Sequence, residues 1–534
     1  MKPIRLISGF LTVGVWTLLS RILGFVRDIL IAGFLGTGVV AQAFLIAFSL
    51  PNMFRRFFAE GAFNMAFVPM FSKKLEGDDD THTDARIFAQ DAFALMAVVL
   101  SVFTIIGILL MPVLVTAMAS GFVGDDRFGL TVAYGRIAFP YILFISLAAL
   151  LSGVLNATGR FMAAAAAPVL LNVIFIAAML LTTLLDPAAL SDPGVPFPPV
   201  GMERLIGDNL ALAVPLGGIA QLWLVWWAAR RAGFAMAWRR PRLTPDLKRL
   251  FIIAAPAALA GGVVQVNLLV GRQVASYFDG AVAWLSYADR LYQLPLGVVA
   301  IALGVVLLPD LSRRLAADDD AGGRDAFNRA SELALALTVP AAIALIVIPV
   351  PLVSVLFERG AFDSDDTAAT ALAVMVYGAG LPAFVLQKSL QPLFFARADT
   401  KRPFYYAAVA MVVNAVIAIG LSFYIGYIAA AIATTLAAWV MVWQLWRGSR
   451  SMGEAAQFDA RFKKRFWRIV LASILMGALL LGAVLLVGPA LGMETVRYVA
   501  LGFVVFVGLF GYFLIGRTVG AFSLHDFKSA LRRG

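Results

Sequence analysis

The sequence predicts an all-α polytopic membrane protein, with fourteen transmembrane helices forming two parallel six-helix repeats around a central cationic cavity and a helix pair following at the C-terminal end. Three observations lead there. Hydrophobic residues make up 61% of the 534 residues and charged ones 14%, with mean hydropathy +0.88, more apolar surface than a soluble fold can bury. Apolar runs able to cross about 30 Å of hydrocarbon recur along the whole chain. The chain also repeats itself at an offset near 240 residues.

The apolar runs place spans at 8–35, 39–71, 88–118, 129–155, 162–185, 206–229, 250–278, 282–311, 329–356, 369–395, 404–423, 425–446, 467–488 and 495–516. The first begins like a secretory signal, with Lys2 and Arg5 ahead of an apolar run. No small-residue cleavage pattern follows and Arg21 interrupts it, so it reads as a mature span. Alternate loops carry the basic residues: Lys73, Lys74, Arg160, Arg230, Arg231, Arg239, Arg240, Arg242, Arg313, Arg314, Lys401, Arg402, Lys463, Lys464, Arg465, Arg532 and Arg533. The other loops hold little beyond Arg127, Arg204, Arg359 and Arg497. By the positive-inside rule both termini are cytoplasmic, the Pro-rich segment 186–201 is an outer loop, and the net charge of +11 is a topology signal rather than a nucleic-acid footprint.

The repeat is visible in rare residues. VPMFSKKLEGDDD, from Val68 to Asp80, matches LPDLSRRLAADDD, from Leu308 to Asp320, at an offset of 240. Pro140, Thr158, Arg160 and Asn172 return as Pro382, Thr400, Arg402 and Asn414 at 242, and Leu50-Pro51 returns as Leu294-Pro295 at 244. Six spans separate equivalent positions, an even number, so the repeats are parallel about an axis along the membrane normal. The expected organisation is an N-lobe over 1–240 (helices 1–6), a C-lobe over 241–448 (helices 7–12), and a linker with helices 13–14 over 449–534.

Ionisable residues inside apolar spans mark function, because an arginine at mid-bilayer costs about 2.5–3.5 kcal/mol on insertion scales. The first two spans hold Arg21, Arg27, Asp28, Arg55, Arg56 and Glu60; the repeat adds Arg272, Asp289 and Arg290. Arg21 and Asp28 are nearly eclipsed on a helix, and Arg56 can neutralise Glu60 at i,i+4. Either Arg21 or Arg27 can pair with Asp28, which leaves open which arginine stays unpaired. The set carries net positive charge, and guanidinium forks suit phosphate and carboxylate. A large anion is the expected ligand.

Other chemistries fit poorly. There are no cysteines, and His82 and His525 are the only histidines, which removes thiol chemistry and histidine-built metal centres. The runs Asp78–Asp80 and Asp318–Asp320 resemble a magnesium-diphosphate site but sit in polar loops where solvated charge is the default. GGVVQVN, from Gly261 to Asn267, reads as close helix packing. No GxxxxGK[ST] motif is present for nucleotide.

The stretches SRILGFVRD, LPNMFRRFFAEGAFNMAFVP, FPYI, NATGRF, SYADRLYQLP and LFERGAF resemble the MurJ (MviN) family of lipid II flippases, within the multidrug/oligosaccharidyl-lipid/polysaccharide exporter superfamily. The resemblance runs from about residue 8 to about 445. It implies a transporter rather than an enzyme, resident in the bacterial inner membrane and serving cell-wall synthesis. Its substrate would be lipid II, a disaccharide pentapeptide carried by diphosphate on a long isoprenoid. The resemblance further implies substrate contacts by Arg21, Arg27, Arg55 and Arg290, gating or ion-pairing roles for Asp28, Arg56, Glu60 and Asp289, and a groove for the lipid tail in the last helix pair. No cofactor is implied; the membrane potential or a monovalent cation is left to supply direction, and the partners are lipid II and membrane lipids, not nucleic acid. Flippases of other lipid-linked oligosaccharides and drug exporters share the scaffold, but an exporter of cations calls for an acidic cavity. The sequence departs from the family pattern at Gln42 and Gln293, where an acid is expected; both changes make the cavity more positive.

Overall fold

A computed structural model of the chain describes residues 6–55, 62–77, 82–184, 202–237 and 239–522. Among them there are helices and no strands, only an isolated bridge between Arg359 and Phe362. The helices are α1 (Leu6–Leu35), α2 (Val39–Arg55), α3 (Ala62–Glu76), α4 (Thr83–Leu109), α5 (Met111–Met118), α6 (Asp126–Ala138), α7 (Tyr141–Ala157), α8 (Phe161–Leu184) and α9 (Glu203–Arg231). They continue as α10 (Pro245–Ser276), α11 (Ala281–Ala316), α12 (Asp320–Val347), α13 (Pro349–Phe357), α14 (Ser364–Phe395), α15 (Lys401–Ile425), α16 (Ile428–Ser449), α17 (Ala460–Leu491) and α18 (Arg497–Val519).

Ten stretches of these helices are long and apolar enough to cross a membrane, and each coincides with an expected span. The other four expected spans fall on α1, on α2 with α3, on α10 and on α11. These are the helices that carry Arg21, Arg27, Asp28, Arg55, Arg272, Asp289 and Arg290. At 30, 32 and 36 residues, α1, α10 and α11 exceed the roughly 20 residues that hydrocarbon requires.

Several spans are broken rather than continuous. Span three divides at Leu110, just ahead of Met111-Pro112, and span nine divides at Ile348, just ahead of Pro349. Proline lacks the amide that would continue the preceding helix, so it starts a new one. Pro140 separates α6 from α7, whereas its repeat equivalent Pro382 lies within the continuous α14.

The chain packs as two compact units, Met1–Ala283 with Arg359–Phe362, and Trp284–Glu358 with Asp363–Gly534. In the first, α8 packs on α1 and α9, α9 on α7, α6 on α2, and α10 on α3. A core cluster there joins Phe67, Phe71, Phe88, Leu100, Leu150, Leu250 and neighbouring side chains. The turn after α1 depends on Gly36, which sits at φ +59° with the Ala361 carbonyl oxygen 2.2 Å from where a Cβ would lie. The Ala361 amide donates to the Gly33 carbonyl at 2.9 Å. Gly36→Ala is therefore expected to cost at least about 1 kcal/mol from the backbone alone, plus the clash, and to lower the thermal midpoint of the purified protein.

In the second unit α15 packs on α16, α14 on α12 and α16, and the α17–α18 hairpin packs against α12. The segment before α17 is tied to α12 by polar groups. The Asp459 amide donates to Asn328 Oδ1 at 3.1 Å, Asn328 Nδ2 donates to the Gln457 carbonyl at 2.9 Å, and Arg329 pairs with Asp459. Asp459 also caps α17 by accepting from the Phe462 amide. Glu332, buried on α12, accepts from Arg329 and from Arg465 at 3.1 Å, with Arg461 at 3.5 Å. The appended helix pair is thus locked to α12 by a buried carboxylate and three guanidiniums.

Candidate functional site

The charged residues of α1 divide by exposure. Arg21 is exposed on the helix surface, while Arg27 and Asp28 are both buried, each 7% accessible. Arg27 Nη2 donates to Asp28 Oδ1 at 2.7 Å and Nε to the same oxygen at 3.0 Å. Its remaining fork nitrogen, Nη1, donates to Asn172 Oδ1 on α8 at 2.9 Å, and the guanidinium lies 5.5 Å from the Phe175 ring centre. Asn172 Nδ2 in turn donates to the Ser20 carbonyl at 3.0 Å, tying α8 back to α1. Adjacent residues on a helix do not normally face one another. The pair forms here because both side chains turn onto the α8 face, where Asn172 fixes the far side of the fork.

A Cβ at Gly24 would lie 3.6 Å from Asn172 Nδ2, an ordinary contact, so the approach of α8 does not require glycine there. Around the pair, Phe175 meets Phe44 and Phe48 of α2 at 6.0 and 5.3 Å between ring centres. Arg27 therefore sits in a water-poor, aromatic setting with its charge compensated. Arg55, half-buried, ends α2; Arg56 and Glu60 lie outside the described residues.

In the other unit Asp289 and Arg290 are partly buried on α11. Gln293 Nε2 donates to Asp289 Oδ2 one turn along the helix. An acid at 293 would oppose the charge of Asp289; the amide supports it. Tyr292 beside them packs on Tyr377 and Phe384 at 5.0 and 5.3 Å between ring centres.

Gln42 also has a definite partner. It is 2% accessible, and its Oε1 accepts from Arg127 Nη1 at 3.3 Å. Arg127 carries carboxylates of its own, Asp125 at 2.5 Å and Asp279 at 3.1 Å. Charge that an acid at 42 would supply is provided from the start of α6 and the turn before α11. Burial opposes the charge on Asp125, yet the side-chain and backbone hydrogen bonds from Arg127 outweigh it and hold the carboxyl below its ordinary value near 3.8. The stability this pair contributes is complete above that ordinary value and is lost only as pH falls through the lower folded one.

Asn172 and Arg127 hold buried charged or polar partners that the sequence does not assign to them. Asn172 was visible as one of the rare polar residues shared with the second repeat, and its equivalent Asn414 is fully buried. Of the two acidic runs, Asp319 caps α12 by accepting from the Gly322 amide at 2.8 Å and pairs with Arg314 at 3.3 Å. Residues 78–80 lie outside the described residues.

The family model described as "Lipid II flippase MurJ" matches residues 31–507. The probable lipid II flippase MurJ of Rhizobium meliloti (strain 1021) is 41% identical over 542 residues, 99% of this chain and 97% of the relative. The chain belongs to the lipid II flippase MurJ family. A second MurJ relative, from Rhizobium tropici, is 38% identical over 99% of this chain and 97% of its own length. Among solved structures, "Lipid II flippase MurJ, inward closed conformation" aligns with a TM-score of 0.75 over 94% of this chain and 97% of that one, at 23% identity. An inward-facing multidrug resistance MATE transporter of the MOP superfamily aligns at 0.65 over 82% of this chain and 95% of that one, at 15% identity. These two establish the fold, an all-helical one shared by MurJ and MATE proteins.

Proposed function

We propose that the chain moves lipid II from the cytoplasmic to the outer leaflet of the bacterial inner membrane by alternating access, with both termini in the cytoplasm. Family membership across residues 31–507 carries this reading. The charge pattern supports it: of the charged set singled out on α1, α2, α10 and α11, the described members are Arg21, Arg27, Arg55, Arg272 and Arg290 against Asp28 and Asp289, a positive balance that suits an anionic headgroup. Arg21, Arg27, Arg55 and Arg290 contact the diphosphate. Asp28, Arg56, Glu60 and Asp289 set the pairing that changes as the lobes rock, and the α17–α18 hairpin guides the isoprenoid.

No cofactor enters the cycle. With the inside negative, each net negative charge carried outward gains about 2.3 kcal/mol per 100 mV, so the potential supplies direction without nucleotide. In vesicles containing labelled lipid II, Arg21→Ala, Arg55→Ala and Arg290→Ala are each expected to reduce transfer to the outer leaflet by about tenfold, corresponding to one charge-assisted hydrogen bond of roughly 1.5 kcal/mol. Transfer at the wild-type rate in all three folded variants rejects the assignment. Collapsing the potential with an ionophore is expected to slow transfer; indifference points instead to a coupled cation.

A further inference from the structure

The loop joining α9 to α10 builds a cationic cavity that the transport reading does not use. It measures about 210 Å³ and is lined by Asp91 of α4 with Arg239, Arg240 and Arg242 of the loop. Arg239 Nε pairs with Asp91 Oδ1 at 2.7 Å, which uses the one carboxylate among the cavity's described lining residues. Gln90 Nε2 holds the same loop by donating to the Ala235 carbonyl at 2.7 Å, and Lys74 of α3 pairs with Asp246 at the start of α10 at 2.8 Å. Arg240 and Arg242 are exposed, and no carboxylate among the described residues pairs with either. The cavity keeps two positive charges on a loop fixed at three points.

Directly along both helices from this cavity lies an apolar cleft of about 40 Å³ between α4 and α10, lined by Ala92, Leu95, Val99, Leu250 and Phe251 among others. Ala92 follows Asp91 in sequence, and Leu95 and Val99 continue the same helical face one and two turns further into the span. The cleft's rim is open: Val99 is 42% and Phe251 41% exposed, and Ile252 beside it 64%. A positive-inside bias accounts for basic residues in a loop; it does not account for their being pinned over an apolar cleft.

We propose that this is a binding site for an anionic phospholipid, its phosphate held by Arg240 and Arg242 and a short stretch of one acyl chain lying in the α4–α10 cleft. Charge complementarity selects the occupant. A zwitterionic headgroup would bring its own cation against two guanidiniums, whereas a phosphodiester with a neutral head meets both with charge-assisted hydrogen bonds.

The test uses the full-length protein in detergent, titrated with phosphatidylglycerol or phosphatidylcholine, with bound lipid counted by native mass spectrometry. The wild type is expected to retain phosphatidylglycerol about tenfold better than phosphatidylcholine. Arg240→Gln with Arg242→Gln, which leaves the Arg239–Asp91 pair in place, is expected to abolish that preference. Lys463→Gln with Lys464→Gln, two exposed cations at the start of α17, is expected to keep it. Val99→Trp, filling the cleft from its exposed rim, is expected to weaken phosphatidylglycerol binding severalfold. An unchanged preference in the arginine variant overturns the proposal, and so does an equal loss in the lysine control. Displacement of phosphatidylglycerol by millimolar inorganic phosphate also overturns it, since that would make the cavity a site for free anions rather than a lipid.

Discussion

Asp28→Ala is expected to destabilise the first unit by about 3–5 kcal/mol, the usual result of leaving one partner of a buried ion pair without the other. Arg27 would keep only Asn172 as a hydrogen-bond acceptor in surroundings set by Phe175, with Asp28 no longer there to hold two of its fork nitrogens. The double variant Arg27→Met with Asp28→Leu should recover most of that loss, because replacing both members by apolar residues of similar volume is close to neutral. Thermal melting in detergent measures the stabilities. The same double variant, though folded, should fail in lipid II transfer if Arg27 engages the diphosphate in the cycle. Recovery of stability together with full transfer would make the pair purely structural.

The second large effect concerns Glu332. Its side chain is 7% exposed and stands among Arg329, Arg461 and Arg465, so Glu332→Gln removes the carboxylate that the three guanidiniums share beside an apolar helix interface, while Arg329 keeps Asp459. The expected loss is again about 3–5 kcal/mol, concentrated in the docking of α17 and α18 on α12. Limited proteolysis reads this directly, since the segment 449–459 should become cleavable before the rest of the chain unfolds. Combining Glu332→Gln with Arg465→Gln should restore part of the protection by removing one of the cations that Glu332 holds together. Because the hairpin is the proposed guide for the isoprenoid, the single variant should also lose transfer of long-tailed lipid II.

Much of this was legible in the sequence because bilayer physics makes it so. Apolar length sets the spans, and the triple Asp, Pro140 and Asn172 repeat too regularly to miss. Less legible was what a given proline does: Pro140 ends a helix while Pro382 lies within one, although the repeat makes them equivalent. The pairing of Arg27 was also beyond helical geometry. An α1 considered alone offers Arg21 or Arg27 to Asp28, and only the arrival of Asn172 from α8 decides for Arg27. The glutamines at 42 and 293 read as missing charge, but their amides bond Arg127 and Asp289. Such partners come from other helices or from a rotamer one turn away, and neither is written in local sequence.

The central claim is that this chain itself carries lipid II across the bilayer. Its most direct measurement follows labelled lipid II in cells depleted of the protein, scoring access from outside to a membrane-impermeant probe of the disaccharide. The account predicts that outer-leaflet access falls while inner-leaflet lipid II accumulates, and that re-expression restores access but the Arg55→Ala chain does not. Undiminished outer access on depletion, or accumulation of a different lipid-linked saccharide, would contradict it.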